Sequence, residues 1–248
     1  MTAPVFVVDT VPAPGGTFLL DGPEGRHAVS VKRLRAGEEL VLTDGRGHWA
    51  PCAVLSAEGK DRLTVEVTAA YEDPAPTPRI TVVQALPKGD RGELAVEIMT
   101  ETGVDAIVPW AASRCVTQWK GDRGAKSLAK WRATAREAGK QSRRTRFPEV
   151  ADAMTTKQVA AFLATADFAA VLHEDRNHKS DALATAEVPT EGDIVLVVGP
   201  EGGVSPEELA AFAEAGAQPY RLGPSVLRTS TAGTAATALL LGRTGRWS

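Results

Sequence analysis

Near the end of the chain an unbroken apolar run, Ile194-Val195-Leu196-Val197-Val198, passes into Gly199-Pro200-Glu201-Gly202-Gly203 and then into Val204-Ser205-Pro206-Glu207-Glu208. The apolar run predicts a buried strand. Ser205 at the N-cap, Pro206 at N1 and Glu208 at N3 predict a helix start with a capping box. Strand, glycine turn and helix together let backbone N–H groups approach a ligand closely, because glycine places no side chain in the way. A second block repeats the pattern: a short strand from Tyr220 to Leu222, a Gly223-Pro224 turn, and a helix of small residues. Two such turns so close together point to one ligand held by two loops.

The rest of the chain divides by pattern. Residues 1–71 read as short strands: Val5 to Val8, Thr17 to Leu20, Glu39 to Leu42, Ala53 to Leu55 and Leu63 to Val67. Turn residues such as Asp44-Gly45-Arg46-Gly47 separate them, and the spacing predicts a small β-barrel. Glu24 to Arg35 interrupts it as a basic helix, readable as an RNA-binding element or as a solvated face. Residues 72–78 carry prolines at 74, 76 and 78 and predict a stiff linker. Residues 79–248 alternate strands with helices, which predicts an α/β domain with a parallel sheet covered on both faces. In such sheets ligands bind beyond the carboxyl ends of the strands. The candidate site therefore lies where Leu172-His173-Glu174, Gly199 to Gly203 and Leu222-Gly223 emerge.

Charge is unevenly placed. Eleven lysines and arginines lie between Ser113 and Arg146 against only Asp122 and Glu137, in a chain whose net charge is −3. Acidic partners at helical spacing are nearly absent, so a phosphate-rich partner is expected rather than a merely solvated face.

Several classes are excluded. No Gly-x-Gly-x-x-Gly opens the first βα unit, and no Walker-type Gly-Lys-Ser/Thr is present. No Gly-x-Ser-x-Gly elbow appears. The four histidines, 27, 48, 173 and 178, show no metal-ligand spacing, and His173, Glu174, Asp175 and His178 read as an ordinary polar loop, so no metal is expected. Cys52 and Cys115 are far apart and predict buried free thiols in a reducing setting. The absence of a signal-like N-terminus or a long apolar segment predicts a cytoplasmic protein with no membrane association.

Taken together, the two late blocks resemble a known family. Gly199-Pro200-Glu201-Gly202-Gly203 followed by Leu222-Gly223-Pro224-Ser225-Val226-Leu227-Arg228-Thr229-Ser230-Thr231-Ala232 is similar to the RsmE-type 16S rRNA (uracil-N3) methyltransferases of the SPOUT superfamily. The segment His27 to Glu38, Leu86-Pro87-Lys88, Thr100 to Val104, Lys140 to Arg144 and Arg146 to Val150 extend the resemblance over nearly the whole chain. Lys140 stands where that family commonly has glutamate.

The resemblance implies a PUA-like barrel followed by an α/β domain with a trefoil knot, acting as a homodimer on 16S rRNA of the small ribosomal subunit. It implies S-adenosyl-L-methionine as cofactor, held by Leu172, His173, Glu174, Gly199, Pro200, Glu201, Gly202, Gly203, Leu222, Gly223, Val226, Leu227, Arg228 and Thr229. Arg228 is the candidate for stabilising negative charge on uracil or for positioning its phosphate. Glu201 is either a base or an orienting group. RNA contacts would come from Arg26, His27, Arg33 and Arg35 on the barrel, from Lys88 and Arg91, and from Arg143, Arg144 and Arg146 on the α/β domain. Two alternatives stay open: a related methyltransferase acting on another RNA position, and a non-catalytic RNA-binding assembly factor.

Overall fold

The computed structural model describes residues 3–174 and 180–248; Asp175 and His178 lie outside the described residues. The chain forms two compact units, residues 1–75 with 139–147, and residues 76–138 with 148–248.

In the first unit, β1 (Val5–Val7), β2 (Thr17–Leu20), β3 (Glu39–Thr43), β4 (His48–Glu58), β5 (Arg62–Val67) and β6 (Tyr71–Glu72) form one sheet. Its order is β1-β3-β4-β5-β2, with β6 on β4, and the ladder path ends at β1 and β2. Inward residues Phe6, Leu40, Leu42, Ala50, Leu63 and Val65 are fully buried, as the alternating pattern requires. The basic helix is shorter than its sequence suggests: α1 covers Gly22–Arg26 and gives way to one π-helical turn, His27–Val31.

This unit extends past residue 71 and recruits a distant segment, which corrects two sequence expectations. Glu72 pairs with His48 in β6, and Asp73 accepts from Trp49 Nε1 at 3.1 Å, so the start of the expected linker is part of the sheet unit. The segment carrying Arg143, Arg144 and Arg146, expected on the α/β domain, groups with the first unit. Phe147 packs where Gly45 and Gly139 lack side chains, and Arg146 donates to the carbonyls of Asp73 and Pro74.

The second unit is an all-parallel sheet. Its strands are β7 (Arg79–Ala85), β8 (Ala106–Ala111), β9 (Glu149–Val150), β10 (Met154–Thr155), β11 (Phe168–Leu172), β12 (Asp181–Ala182), β13 (Asp193–Val198) and β14 (Gln218–Arg221). They run in the order β10-β8-β7-β13-β11-β14-β12, with β9 on β8. The five residues Ile194 to Val198 are all buried, because β13 has β7 on one side and β11 on the other. The helices are α2 (Arg91–Thr102), α3 (Gly121–Gln141), α4 (Thr156–Leu163), α5 (Pro206–Glu214) and α6 (Thr229–Arg243). α3 begins six residues before the Ser127 start that its sequence suggests.

Helix termini follow local chemistry. Gly103 ends α2 at φ 113°, in the left-handed region that favours glycine, and its N–H reaches Met99 O. Thr155 with Gln158, and Ser205 with Glu208, close complete capping boxes on α4 and α5.

α6 lies against α2, β7 and β13 through small residues. A Cβ on Gly233 would stand 2.8 Å from Met99 Sδ and 3.2 Å from Val82 Cγ1. Just beyond α6, Arg246 pairs with Asp105 at 2.5 and 3.1 Å in a bidentate contact, and Asp105 also accepts from Ile80 N at 2.8 Å. Replacing Gly233 by valine is expected to cost about 1–3 kcal/mol through overpacking. A thermal melt by circular dichroism checks this, and an unshifted midpoint would show that the packing there has slack.

Candidate functional site

β13, β11 and β14 are consecutive neighbours in the sheet and run in the same direction. Their carboxyl ends therefore deliver Gly199 to Gly203, Leu172-His173 and Leu222-Gly223 to one edge, the three segments singled out from the sequence. His173 N continues the ladder by donating to Tyr220 O at 3.0 Å. Thr229 Oγ1 donates to Gly199 O at 3.2 Å, so the first residue of α6 is tied to the glycine turn. The edge lies where β13 has been inserted between β7 and β11, a switch in strand order of the kind that opens a ligand crevice.

The glycines have specific steric reasons. A Cβ on Gly199 would meet Val204 Cγ2 at 2.7 Å, and one on Gly202 would lie 3.2 Å from Arg114 Cβ. Gly203 sits at φ 73° and donates to Pro200 O at 2.8 Å. Residues 201–203 are exposed, as are residues 223–228. Val226 is 69% and Leu227 39% exposed, an apolar rim beside a backbone-lined turn.

Of the two candidate catalytic residues, Glu201 has a partner. Its Oε1 accepts from Lys88 N at 3.0 Å, bridging the turn after β13 to the turn after β7. That contact favours the orienting role among the two the sequence leaves open. Arg228 is the N-cap residue of α6 in extended conformation (φ −66°, ψ 149°), and its carbonyl accepts from Thr231 N and Ala232 N. Among the described residues its exposed guanidinium has no hydrogen-bond partner.

Beneath the turn, Glu208 is buried and accepts from Ser113 N at 2.8 Å, Thr156 Oγ1 at 3.0 Å and Ser205 N at 3.1 Å. Burial alone would push its carboxyl up, but these hydrogen bonds together outweigh it and hold the carboxyl below its ordinary value. Both thiols are free and buried, as expected. Burial pushes Cys52 up to about 11 and also raises Cys115, so neither is an activated nucleophile. Among the described residues no group of three or more His, Cys, Asp or Glu is placed to hold a metal ion.

The candidate RNA contacts divide between the units. Arg26, Arg33, Arg35 and Arg143 are exposed on the first unit, while Lys88 and the half-buried Arg91 belong to the second. His27 is half-buried with its ring edge-on to Phe6 at 5.6 Å, a packing contact. Arg146 spends its guanidinium on Asp73 and Pro74, and Arg144 is half-buried. Lys140 pairs with Glu24 at 2.9 Å, both side chains largely buried. On α3, Lys130 reaches Glu93 at 3.1 Å and Arg132 reaches Asp152 at 3.0 Å. The acids missing at helical spacing are thus supplied by other elements. Among the described residues Lys120, Arg123 and Lys126 make no ion pair, which concentrates open positive charge just before and along the first turns of α3.

Arg33 and Arg143 share a further property. They are the two non-glycine residues with positive φ among those described, at 57° and 58°. Each follows a helical turn in the position glycine usually takes: Arg144 N reaches Gly139 O, and Leu34 N reaches Ala28 O.

Residues 73–241 match the RNA methyltransferase domain family, and residues 20–68 match the RNA methyltransferase PUA domain. A Mycobacterium bovis protein named ribosomal RNA small subunit methyltransferase E is 46% identical over the whole of this chain and 94% of its own length. The chain belongs to the ribosomal RNA small subunit methyltransferase E family. A crystal structure of the Neisseria gonorrhoeae member bound to S-adenosyl methionine superposes with a TM-score of 0.85 at 30% identity, covering 98% of both chains. A Legionella pneumophila putative methyltransferase, in complex with the same cofactor, also gives 0.85 at 27% identity and 98% coverage of both. The N-terminal PUA-like β unit and the C-terminal parallel α/β unit are those of this family.

Glu208→Gln is expected to destabilise the fold by about 1–3 kcal/mol at neutral pH, the scale of hydrogen bonds to a charged group. Because the folded carboxyl titrates below its unfolded value, its stabilisation is present above the ordinary glutamate range and is lost as pH falls through the lower folded value. Urea titrations from pH 7 to pH 3 should therefore show a gap between wild type and Glu208→Gln that closes with acid. A gap of constant size would rule out the carboxylate as its source.

Proposed function

We propose that the chain transfers a methyl group from S-adenosyl-L-methionine to N3 of a specific uridine in 16S rRNA. The observation that carries this is the convergence of the three strand ends of β13, β11 and β14, with Thr229 tied to Gly199. The residues present fit that cofactor. The exposed glycine turn at residues 201–203 leaves backbone groups open to a polar ligand, and exposed Val226 and Leu227 offer apolar cover for an adenine. Leu172, His173, Glu174, Gly199 to Gly203, Leu222, Gly223 and Val226 to Thr229 would hold it. When bound it supplies an electrophilic methyl group on a sulfonium.

The chain's own task is to make N3 of uracil a nucleophile and to align it. That nitrogen carries a proton, so its loss leaves negative charge on the ring. The Arg228 guanidinium, exposed and without a hydrogen-bond partner among the described residues, would stabilise that charge. Glu201, held by Lys88 N, orients the turn. A target base must leave its stack to be reached, which favours an irregular or single-stranded rRNA region. Arg26, Arg33, Arg35 and Arg143, with the open charge at the start of α3, would contact the phosphates. The knotted passage of the last segment belongs to the same reading, as does a homodimer.

Mass mapping of rRNA nucleosides from a deletion strain tests the assignment: 3-methyluridine should disappear from the small subunit, and its persistence would refute the reading. Arg228→Ala is expected to lower the methyl-transfer rate by about 10²-fold or more, the scale of losing a charge-stabilising donor. A rate within a few-fold of wild type would remove Arg228 from the mechanism.

The left-handed arginines give a separate test. Glycine relieves a backbone cost of about 1–2 kcal/mol at such positions, offset in part by the added freedom of the unfolded chain. Arg143→Gly should thus leave the melting temperature unchanged or raised while weakening binding to a 16S rRNA fragment. The salt slope of binding should fall by about one unit for each phosphate no longer neutralised. Unaltered affinity and slope would show that Arg143 meets no phosphate.

A further inference from the structure

In the sequence Arg114 is only the first of a basic run. In the structure it stands over the glycine turn. The loop between β8 and α3 is bound to three elements at the carboxyl edge of the sheet. Ser113 N donates to Glu208 Oε1, Thr117 Oγ1 donates to Pro87 O at 2.8 Å, and Arg114 Nη1 donates to Gly202 O at 3.1 Å. The Arg114 side chain runs directly across the turn, since a Cβ on Gly202 would lie 3.2 Å from its Cβ and 3.7 Å from its Cδ.

The peptide joining Gly202 to Gly203 is therefore gripped on both sides. Its carbonyl oxygen accepts from Arg114, and its N–H donates to Pro200 O at 2.8 Å. A planar peptide held at both its oxygen and its nitrogen cannot rotate about the flanking bonds. Two glycines in succession would otherwise leave the turn free among many conformations, because neither has a Cβ to restrict φ and ψ. Glu201 is restrained separately through Lys88 N.

We propose that Arg114 is a positioning residue for the cofactor: it pre-forms the Gly199 to Gly203 turn by holding the Gly202 carbonyl. This rests on the reading of that turn as the S-adenosyl-L-methionine site. Arg114 touches neither cofactor nor uracil in this assignment, and its contribution is the ordering cost removed from cofactor binding. A lysine keeps the charge and can still donate but lacks the planar fork, so it restores only part of the effect.

The test uses the full chain with Arg114→Ala and Arg114→Lys, and two readouts. Calorimetric titration with S-adenosyl-L-methionine alone should show a Kd raised about tenfold in Arg114→Ala, the scale of one hydrogen bond from a charged donor. Arg114→Lys should fall between it and wild type. Methyl transfer to 16S rRNA should show the KM for S-adenosyl-L-methionine rising in step, with kcat at saturating cofactor within about twofold of wild type. Because Arg114 is exposed, the melting temperatures should stay close, which separates this role from a loss of folding. An Arg114→Ala Kd equal to that of wild type would overturn the proposal, as would a defect confined to the KM for RNA. A wild-type chain that binds no S-adenosyl-L-methionine would instead sink the functional reading beneath it.

Discussion

The carboxylate of Glu208 is the group on which the second unit's upper edge depends. One buried anion caps its own helix at Ser205, holds the loop after β8 at Ser113, and fixes the start of α4 at Thr156. Trp110 shares the Thr156 hydroxyl through its indole N–H at 3.2 Å and packs edge-on to Phe212 of α5 at 5.2 Å. Three otherwise separate segments thus meet at one charge, in a place where an unpaired carboxylate would be strongly disfavoured. The arrangement is directional as well as stabilising. It sets where α5 begins, and so where the glycine turn before it must end.

Local rules made much of this legible in advance. The strand Phe168–Leu172 falls where its apolar run places it, and the helix after Ser205 begins with the capping box read from Ser205, Pro206 and Glu208. Such features depend on neighbours a few residues away. β4 was harder: Pro51 and the shift of register between Val54 and Ser56 break its alternation, so eleven residues of strand showed only as Ala53 to Leu55. The early start of α3 was hidden by Gly121 and Gly124, which lower helical preference although the turn forms around Trp119. Assignment of residues 139–147 to the first unit rests on Phe147 filling space at Gly45, about a hundred residues earlier, which no periodicity records.

The site divides along the same line. Its glycine-rich blocks were visible because close backbone approach demands glycine at fixed positions. The restraints upon them were not, since Arg114 to Gly202, Lys88 to Glu201 and Ser113 to Glu208 each span about ninety residues or more. For the basic residues, sequence gives charge but not its employment. Arg146, Lys140 and Arg132 are spent on internal partners, whereas Arg33 and Arg143 occupy backbone positions that glycine would fill at lower cost.

α6 carries a consequence of a different kind. Thr229 binds it to Gly199 at the carboxyl edge of the sheet, and Arg246, just past its end, is locked to Asp105 beside the first residues of β7. With about 1.5 Å of rise and 100° of rotation per residue, the helix works as a gauge length between two fixed marks. The number of residues between those marks cannot change. A single insertion would turn Gly233 away from Met99 and pull one anchor out of register with the other. Length, as much as its small residues, is what this segment contributes to the cleft.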